Sequence, residues 1–255
     1  MPVADFSLEG KVAIVTGGSR GIGRSIALGL AEAGAAVAIA ARKPEALAEA
    51  VGAVESAAGR AVAIPVNVRR QEELRTLVDE TVRQLGRVDI LINNAGTNPV
   101  YGPVQDLDEG AWDVIMNTNV KSMFFLSAFA REAMLEHGDG GAIVNVSSVG
   151  GFRASDVIGG YSVSKAAVIM LTQVCAKTWG TDGIRVNCIA PGLVKTDFAR
   201  ALWENPEILA GNRATAALRR IGEPDEMAGA AVYFASPASS FVTGQNLVLD
   251  GGQLL

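Results

Sequence analysis

One histidine and two cysteines are all the soft metal ligands that 255 residues hold. His137, Cys175 and Cys188 cannot assemble a His/Cys zinc cluster or a disulfide framework, although a single bridge stays open to them; no metal is assigned. Cationic charge is also short, with 22 Lys and Arg against 27 Asp and Glu and a net charge of −5. That balance argues against nucleic acid as a partner. No run of about 18 uncharged apolar residues occurs, so no membrane span is expected. The opening MPVADFSLEGKV lacks a basic stretch followed by an apolar one, and a soluble, cytoplasmic protein in a reducing compartment is the expectation. Polar linkers, long repeats and low-complexity segments are missing too, and a single domain over 1–255 is the economical reading.

What is plentiful is apolar and glycine residues: 49% hydrophobic and 29 glycines, against a usual glycine share of ~7% and with no G-X-Y period. A chain of this kind can bury a full core, and its glycines must serve turns and close backbone approaches. Short apolar runs alternate with helical periods. Strands are expected at 12–16, 37–41, 61–66, 90–93, 143–147, 185–190 and 247–249, and helices at 22–33, 44–58, 71–85, 108–133 and 161–179. Strands that read as unbroken apolar runs joined through helices imply an α/β, doubly wound, Rossmann-like parallel sheet covered on both faces.

Thr16-Gly17-Gly18-Ser19-Arg20-Gly21-Ile22-Gly23 falls between the first strand and first helix, where such a sheet binds dinucleotides. Gly17 suits the tight turn, Gly21 lets a pyrophosphate approach the backbone, Gly23 lets helix and strand pack closely, and the helix start offers free N–H groups. The spacing G-x-x-x-G-x-G is not a Walker motif. At the end of the second strand an acid would hold an adenosine 2′-hydroxyl, whereas arginine suits a 2′-phosphate. Here stand Arg42 and Lys43, with no acid between Ala33 and Pro44 and with Arg20 on the same side. Guanidinium recognition of phosphate favours NADP(H) over NAD(H). The competing reading leaves these residues as solvated charges at a helix start.

Tyr161 and Lys165 lie at i and i+4 on one helical face. An ammonium beside a phenol favours phenolate, so the tyrosine pKa is expected to fall from ~10 and make it a usable acid/base. The preceding strand delivers Ser147 and Ser148 to the ligand-binding edge of the sheet.

Together these motifs resemble the short-chain dehydrogenase/reductase family over nearly the whole chain. TGGSRGIG is similar to its cofactor loop, Asn93-Asn94-Ala95-Gly96 to its segment after the fourth strand, and Tyr161-x-x-x-Lys165 to its active-site pair. Asn119, Pro191-Gly192 and Asp250-Gly251-Gly252 match further positions. The resemblance implies that Tyr161 moves the proton and that Ser148, thirteen residues before it, holds the substrate carbonyl. It further implies that Lys165 tunes the tyrosine and holds the nicotinamide ribose, and that Asn119 holds a water leading to solvent. Thr196 would touch the nicotinamide carboxamide, with Ile189 and Val194 framing the ring, and Ser19, Ile22, Val68, Asn94, Ala95, Gly96, Pro191 and Gly192 would line the cofactor. Many relatives carry aspartate against the adenine amino group; Asn67 stands here, and its amide oxygen can accept the same bond. A homotetramer is implied, joined through the helical stretches 108–133 and 161–179 and through the C-terminal strand region.

Residues 193–222 break the alternation and read as a substrate lid. Phe198, Leu202 and Trp203 from it, with Pro99, Val100, Phe152 and Gly150, are expected to form a mainly apolar pocket for ketones, aldehydes or secondary alcohols. Gly151 is expected to help keep the entrance open. The alternative reading, a 3-oxoacyl-[acyl-carrier-protein] reductase, must dock an acidic partner, which Glu136 to Gly140 would repel. A non-catalytic dinucleotide-binding regulator would lack one of the four catalytic positions. A serine hydrolase would need His137 as its base, and His137 reads as a solvated turn residue.

Overall fold

A computed structural model describes residues 4–57 and 59–255. In chain order it runs β1 (Val12–Thr16), α1 (Gly21–Glu32), β2 (Ala36–Ala41), α2 (Pro44–Ser56), β3 (Arg60–Pro65), α3 (Gln71–Leu85), β4 (Ile90–Asn93), α4 (Glu109–Met116) and α5 (Ser122–His137). It continues β5 (Gly141–Val146), α6 (Gly159–Trp179), β6 (Ile184–Pro191), α7 (Arg200–Trp203), α8 (Pro206–Thr215), α9 (Ala228–Ala235) and β7 (Asn246–Leu249). The seven strands form one parallel sheet in the order β3-β2-β1-β4-β5-β6-β7. The chain winds outward from β1 to β3, then crosses back to β4. The carboxyl edge between β1 and β4 is therefore the topological switch point where such sheets bind ligands.

Alternate residues of each strand feed two cores. Ala13, Val15, Ile39 and Ile92 pack against Ile26 and Leu30 of α1, Leu47 of α2 and Phe234 of α9. Ile14, Ala38, Leu91 and Val186 pack on the other face against Leu74 and Leu77 of α3, Met134 of α5 and Trp179 of α6. Fully burying each such side chain contributes ~1.5–3 kcal/mol, which is why the strands read as continuous apolar runs.

Three features differ from the sequence reading. α9, AGAAVYFA, falls in a stretch to which periodicity assigns no element. The long helix from 108 is interrupted by a π-helical turn, Asn117–Lys121, and runs on to His137. The expected end of α2 at Ala58 lies outside the described residues; the helix stops at Ser56 and the Gly59 N–H bonds back to the Val54 carbonyl at 3.0 Å. Among the described residues no helix is long and apolar enough to cross a membrane.

Candidate active site

Thr16 ends β1 and ties two loops together. Its hydroxyl accepts from the backbone N–H groups of Asn94 (3.0 Å) and Ala95 (3.1 Å), while Asn94 Nδ2 donates to the Thr16 carbonyl at 2.9 Å. Gly17 and Gly21 adopt φ of +64° and +52°, the left-handed region that glycine reaches without cost. A Cβ on Gly23 would collide with Asn94 Nδ2 and the Gly17 carbonyl. The start of α1 carries no side-chain cap, so its first N–H groups face the cleft as a ready anion site.

That cleft, with a volume of about 870 Å³, runs along the carboxyl edge of the sheet. Of the residues assigned to the cofactor in the sequence, all but Ile189 line it, from Gly17 through Arg42, Lys43, Asn67 and Asn94 to Pro191, Gly192, Val194 and Thr196. The sequence reading missed Arg69, a further cation at the same end. The Asn67 amide oxygen accepts from the Arg69 N–H at 3.2 Å, a local turn that fixes the side chain. The donor set fits a 2′-phosphorylated dinucleotide: N–H groups for the pyrophosphate, then Arg20, Arg42, Lys43 and Arg69, with no acid between the end of β2 and Pro44. Ile189, on β6, is not part of the cleft; its side chain is fully buried in the core.

Just after β5 the two serines separate. The Ser147 hydroxyl is buried and donates to the Lys165 carbonyl at 2.8 Å, whereas Ser148 lines the cleft together with Tyr161 and accepts from the Gly150 N–H at 3.1 Å. Lys165 is buried; its Nζ donates to the Val146 carbonyl at 2.8 Å and lies 5.4 Å from the centre of the Tyr161 ring. Burial dominates the electrostatics. It pushes the Tyr161 phenol up to about 12, partly offset by the Ser148 hydroxyl, and lowers the Lys165 ammonium to about 8. This corrects the expected lowering of the tyrosine: the ammonium is held by Val146, and desolvation of the phenolate outweighs its pull.

Asn119 sits in the π turn behind the cleft, fully buried. Its oxygen accepts from the Thr97 N–H at 2.8 Å, and its nitrogen donates to the Thr97 carbonyl (3.0 Å) and to Ser164 Oγ (2.9 Å); Ser164 in turn donates to the Tyr161 carbonyl at 2.7 Å. Both amide hydrogens are thus committed to the protein, which makes Asn119 a brace for the tyrosine turn. π turns of this kind recur at functional sites.

The substrate end needs more correction. Gly150, Phe198 and Leu202 line the cleft, and the Phe198 ring lies 6.0 Å from that of Tyr161. Phe152 turns outward and is 45% exposed. Trp203 packs into the segment's own framework, donating from Nε1 to the Thr196 carbonyl at 2.8 Å. Pro99, Val100 and Gly151 are also absent from the lining; a Cβ on Gly151 would meet the Lys165 backbone at 2.8 Å, so that glycine is spent on packing. In their place come Tyr101, Arg153, Asp156, Asn212 and Gln253, so the pocket is less apolar than expected. Residues 193–222 leave the sheet and return to it pinned at the base, with Lys195 N–H to the Gly222 carbonyl and Gly222 N–H to the Leu193 carbonyl, both 2.9 Å. Arg20 of the glycine loop reaches Asp197 of this segment at 3.5 Å.

His137 is not a solvated turn residue. It ends α5 with its ring 15% exposed, Nε2 3.0 Å from the Val88 carbonyl and Nδ1 accepting from the Asp139 N–H at 3.2 Å, far from both serines at the amino edge of the sheet. Asp139 itself is bound to Arg87 at 2.7 Å, which holds its carboxyl below the usual range. Because Glu136 to Gly140 precede β5, their charge faces the edge opposite the cleft and does not bear on what docks there. Cys175 and Cys188 are free and buried, with thiols pushed up to about 11 by burial, which leaves them inert.

Residues 17–253 match a family model described as enoyl-(acyl carrier protein) reductase. The chain is 38% identical over 247 residues to dehydrogenase/reductase SDR family member 4 of Bos taurus, covering 97% of this chain and 88% of that one. It is 35% identical over 255 residues to the 2-dehydro-3-deoxy-D-gluconate 5-dehydrogenase of Escherichia coli, covering 100% and 99%. Among solved structures, a short-chain alcohol dehydrogenase described as putative, from Sinorhizobium meliloti, superposes with a TM-score of 0.94 at 39% identity over 98% of both chains. A gluconate 5-dehydrogenase from Burkholderia cenocepacia in complex with NADP and tartrate gives 0.94 at 34% identity over 99% and 98%. Sequence, sheet topology and these relatives agree: the chain belongs to the short-chain dehydrogenase/reductase family, oxidoreductases that act on CH–OH groups with NAD(P).

Proposed function

We propose that the protein is an NADP(H)-dependent oxidoreductase that interconverts a ketone or aldehyde and its alcohol, with Tyr161 as the acid/base. The observation that carries this reading is that Ser148 and Tyr161 line the same cleft, with the buried Lys165 Nζ 5.4 Å from the tyrosine ring. NADPH, when bound along Gly17 to Gly23, Arg42 and Lys43, supplies the hydride. In the reduction direction Ser148 donates to the carbonyl oxygen, and Tyr161 protonates that oxygen as it gains charge. A phenol held near 12 stays protonated at neutral pH and still yields its proton to an alkoxide, the stronger base. The phenolate left behind is stabilised by Ser148 and by the Lys165 ammonium. Asn119 holds the tyrosine turn through Ser164. Phe198 beside Tyr161 supports the lid role of 193–222, which would exclude water on closing.

The same reading includes a homotetramer, supported by apolar side chains left exposed on α5 and α6, Phe124, Val163, Met170 and Val174, and near the C-terminal strand, Phe241 and Leu247. A reducing, cytoplasmic setting suits two free, buried cysteines. The test is NADPH and NADH oxidation against ketones, diketones, aldehydes and an acetoacetyl thioester. Turnover of small carbonyls with NADPH supports the reading, and turnover of the thioester alone would replace it with the acyl-carrier alternative.

A further inference from the structure

Arg153 stands on the loop that runs from Ser148 to Tyr161, lines the cleft, and has no hydrogen-bond or ion-pair partner among the described residues. No arginine of the neighbouring segment combines these two features, since Arg213, also unpaired among the described residues, does not line the cleft. Arg200, Arg219 and Arg220 are taken up by Asp197, the Ala214 carbonyl and Glu226, and none of them lines the cleft. Nor does Arg153 belong to the cations at the adenosine end. Those follow β2 and β3, and β2 lies three strands from β5, about 14 Å at ~4.8 Å per strand. The loop is braced: the Ser155 hydroxyl accepts from the N–H groups of Val157 (3.2 Å) and Ile158 (3.3 Å), and Gly102 N–H donates to the Val157 carbonyl at 2.8 Å. An exposed, unpaired guanidinium thus lines the same cleft as Ser148 and Tyr161, from a loop braced at its Ser155–Ile158 end, which lowers the ordering cost of holding a ligand.

We propose that Arg153 is a specificity-determining residue that anchors a carboxylate on the substrate, so that the preferred substrates are oxo acids or hydroxy acids. The inference rests on the hydride-transfer reading above and names its substrate class. A planar guanidinium matches a carboxylate through two parallel hydrogen bonds, a geometry no other cleft residue on this loop offers. Asp156, three residues on, also lines the cleft but forms no ion pair with Arg153. It accepts hydrogen bonds only, which suits a substrate hydroxyl and disfavours an anion on its own side.

The experiment compares matched pairs: 4-acetylbenzoate with its methyl ester, and 5-oxohexanoate with its methyl ester, in wild type, Arg153→Gln, Arg153→Lys and Asp156→Asn. Wild type should prefer the acids. Arg153→Gln should lower kcat/KM for the acids about 10- to 100-fold, the effect of one charged hydrogen-bonding partner, mainly through KM and with the esters unchanged. Arg153→Lys should recover part of the loss, and Asp156→Asn should improve the acids. An acid-to-ester ratio that is the same in Arg153→Gln as in wild type overturns the inference, as does a wild type that turns over esters and acids alike; both leave hydride transfer intact. Failure to reduce any carbonyl would instead strike the underlying reading. Titration of 4-acetylbenzoate into the NADP+-saturated protein reads Arg153 without turnover: tighter binding to wild type than to Arg153→Gln is expected, and equal or undetectable binding overturns it.

Discussion

The hydroxyl of Ser147 donates to the backbone carbonyl of Lys165 at 2.8 Å, stitching the end of β5 to the middle of α6. Its neighbour Ser148 lies one residue further along and faces the cleft instead. Adjacent serines therefore divide the labour, and their alanine variants should fail differently. Ser147→Ala removes one buried hydrogen bond to a carbonyl that keeps its place in the α6 ladder, and should lower the unfolding free energy by ~0.5–1.5 kcal/mol. Ser148→Ala should keep the stability and lower kcat on the order of 10²–10³-fold, the usual cost of one oxyanion donor. Urea unfolding and steady-state rates on the two variants separate these outcomes.

Lys165 links the site to the stability of the fold. Burial lowers its pKa to about 8 from an ordinary 10.5, so above pH 8 the folded chain has released a proton that the unfolded chain still holds. Stability must then rise with pH between about 8 and 10 on account of this group. Tyr161 opposes the trend only above its ordinary value of 10, where the unfolded chain loses a phenol proton that the folded chain retains. Urea titrations of wild type and Lys165→Met at pH 8 and pH 10 should differ, with the wild type gaining on the order of 1–2 kcal/mol over the variant. A constant difference across that window would refute the buried ammonium.

Cofactor choice is expected to follow Arg42. Replacing it with alanine removes a charged hydrogen-bond partner worth ~1.5–3 kcal/mol to a 2′-phosphate. The ratio of kcat/KM for NADPH to that for NADH should drop about 10- to 100-fold, with the NADH value little changed. An unchanged ratio would make Arg42 a solvated charge at the start of α2.

Much of this was readable from residues because local chemistry and global topology point the same way. The cofactor loop is legible since Gly17 and Gly21 sit where the backbone needs positive φ and Gly23 where no Cβ fits. Strands are legible as apolar runs because both faces are covered. What escaped has physical reasons. α9 is a short, wholly apolar stretch whose periodicity cannot separate helix from strand. Phe152 and Trp203 are large and apolar, yet direction decided their places, one outward and one into a hydrogen bond with Thr196. Arg69, Arg153 and Gln253 reach the cleft only through tertiary folding of loops and tail, and no spacing announces them. The direction of the Tyr161 shift depended on burial, which helical spacing does not report.

Assembly provides a separate check. Met170 and Val174 lie one helical turn apart on α6 and are 58% and 53% exposed. Light scattering should give four times the chain mass for wild type, and the double variant Met170→Glu/Val174→Glu should fall to a smaller species. A monomeric wild type would remove the tetramer from the account.

The most direct test of the central claim is the rate of Tyr161→Phe. The substitution deletes only the phenol oxygen of a side chain that lines the cleft with Ser148. Loss of the proton donor should lower kcat/KM for carbonyl reduction by at least ~10²–10⁴-fold, while NADPH affinity, followed by cofactor fluorescence, stays within a few-fold of wild type. Undiminished turnover by Tyr161→Phe would contradict the assignment of Tyr161 as the acid/base.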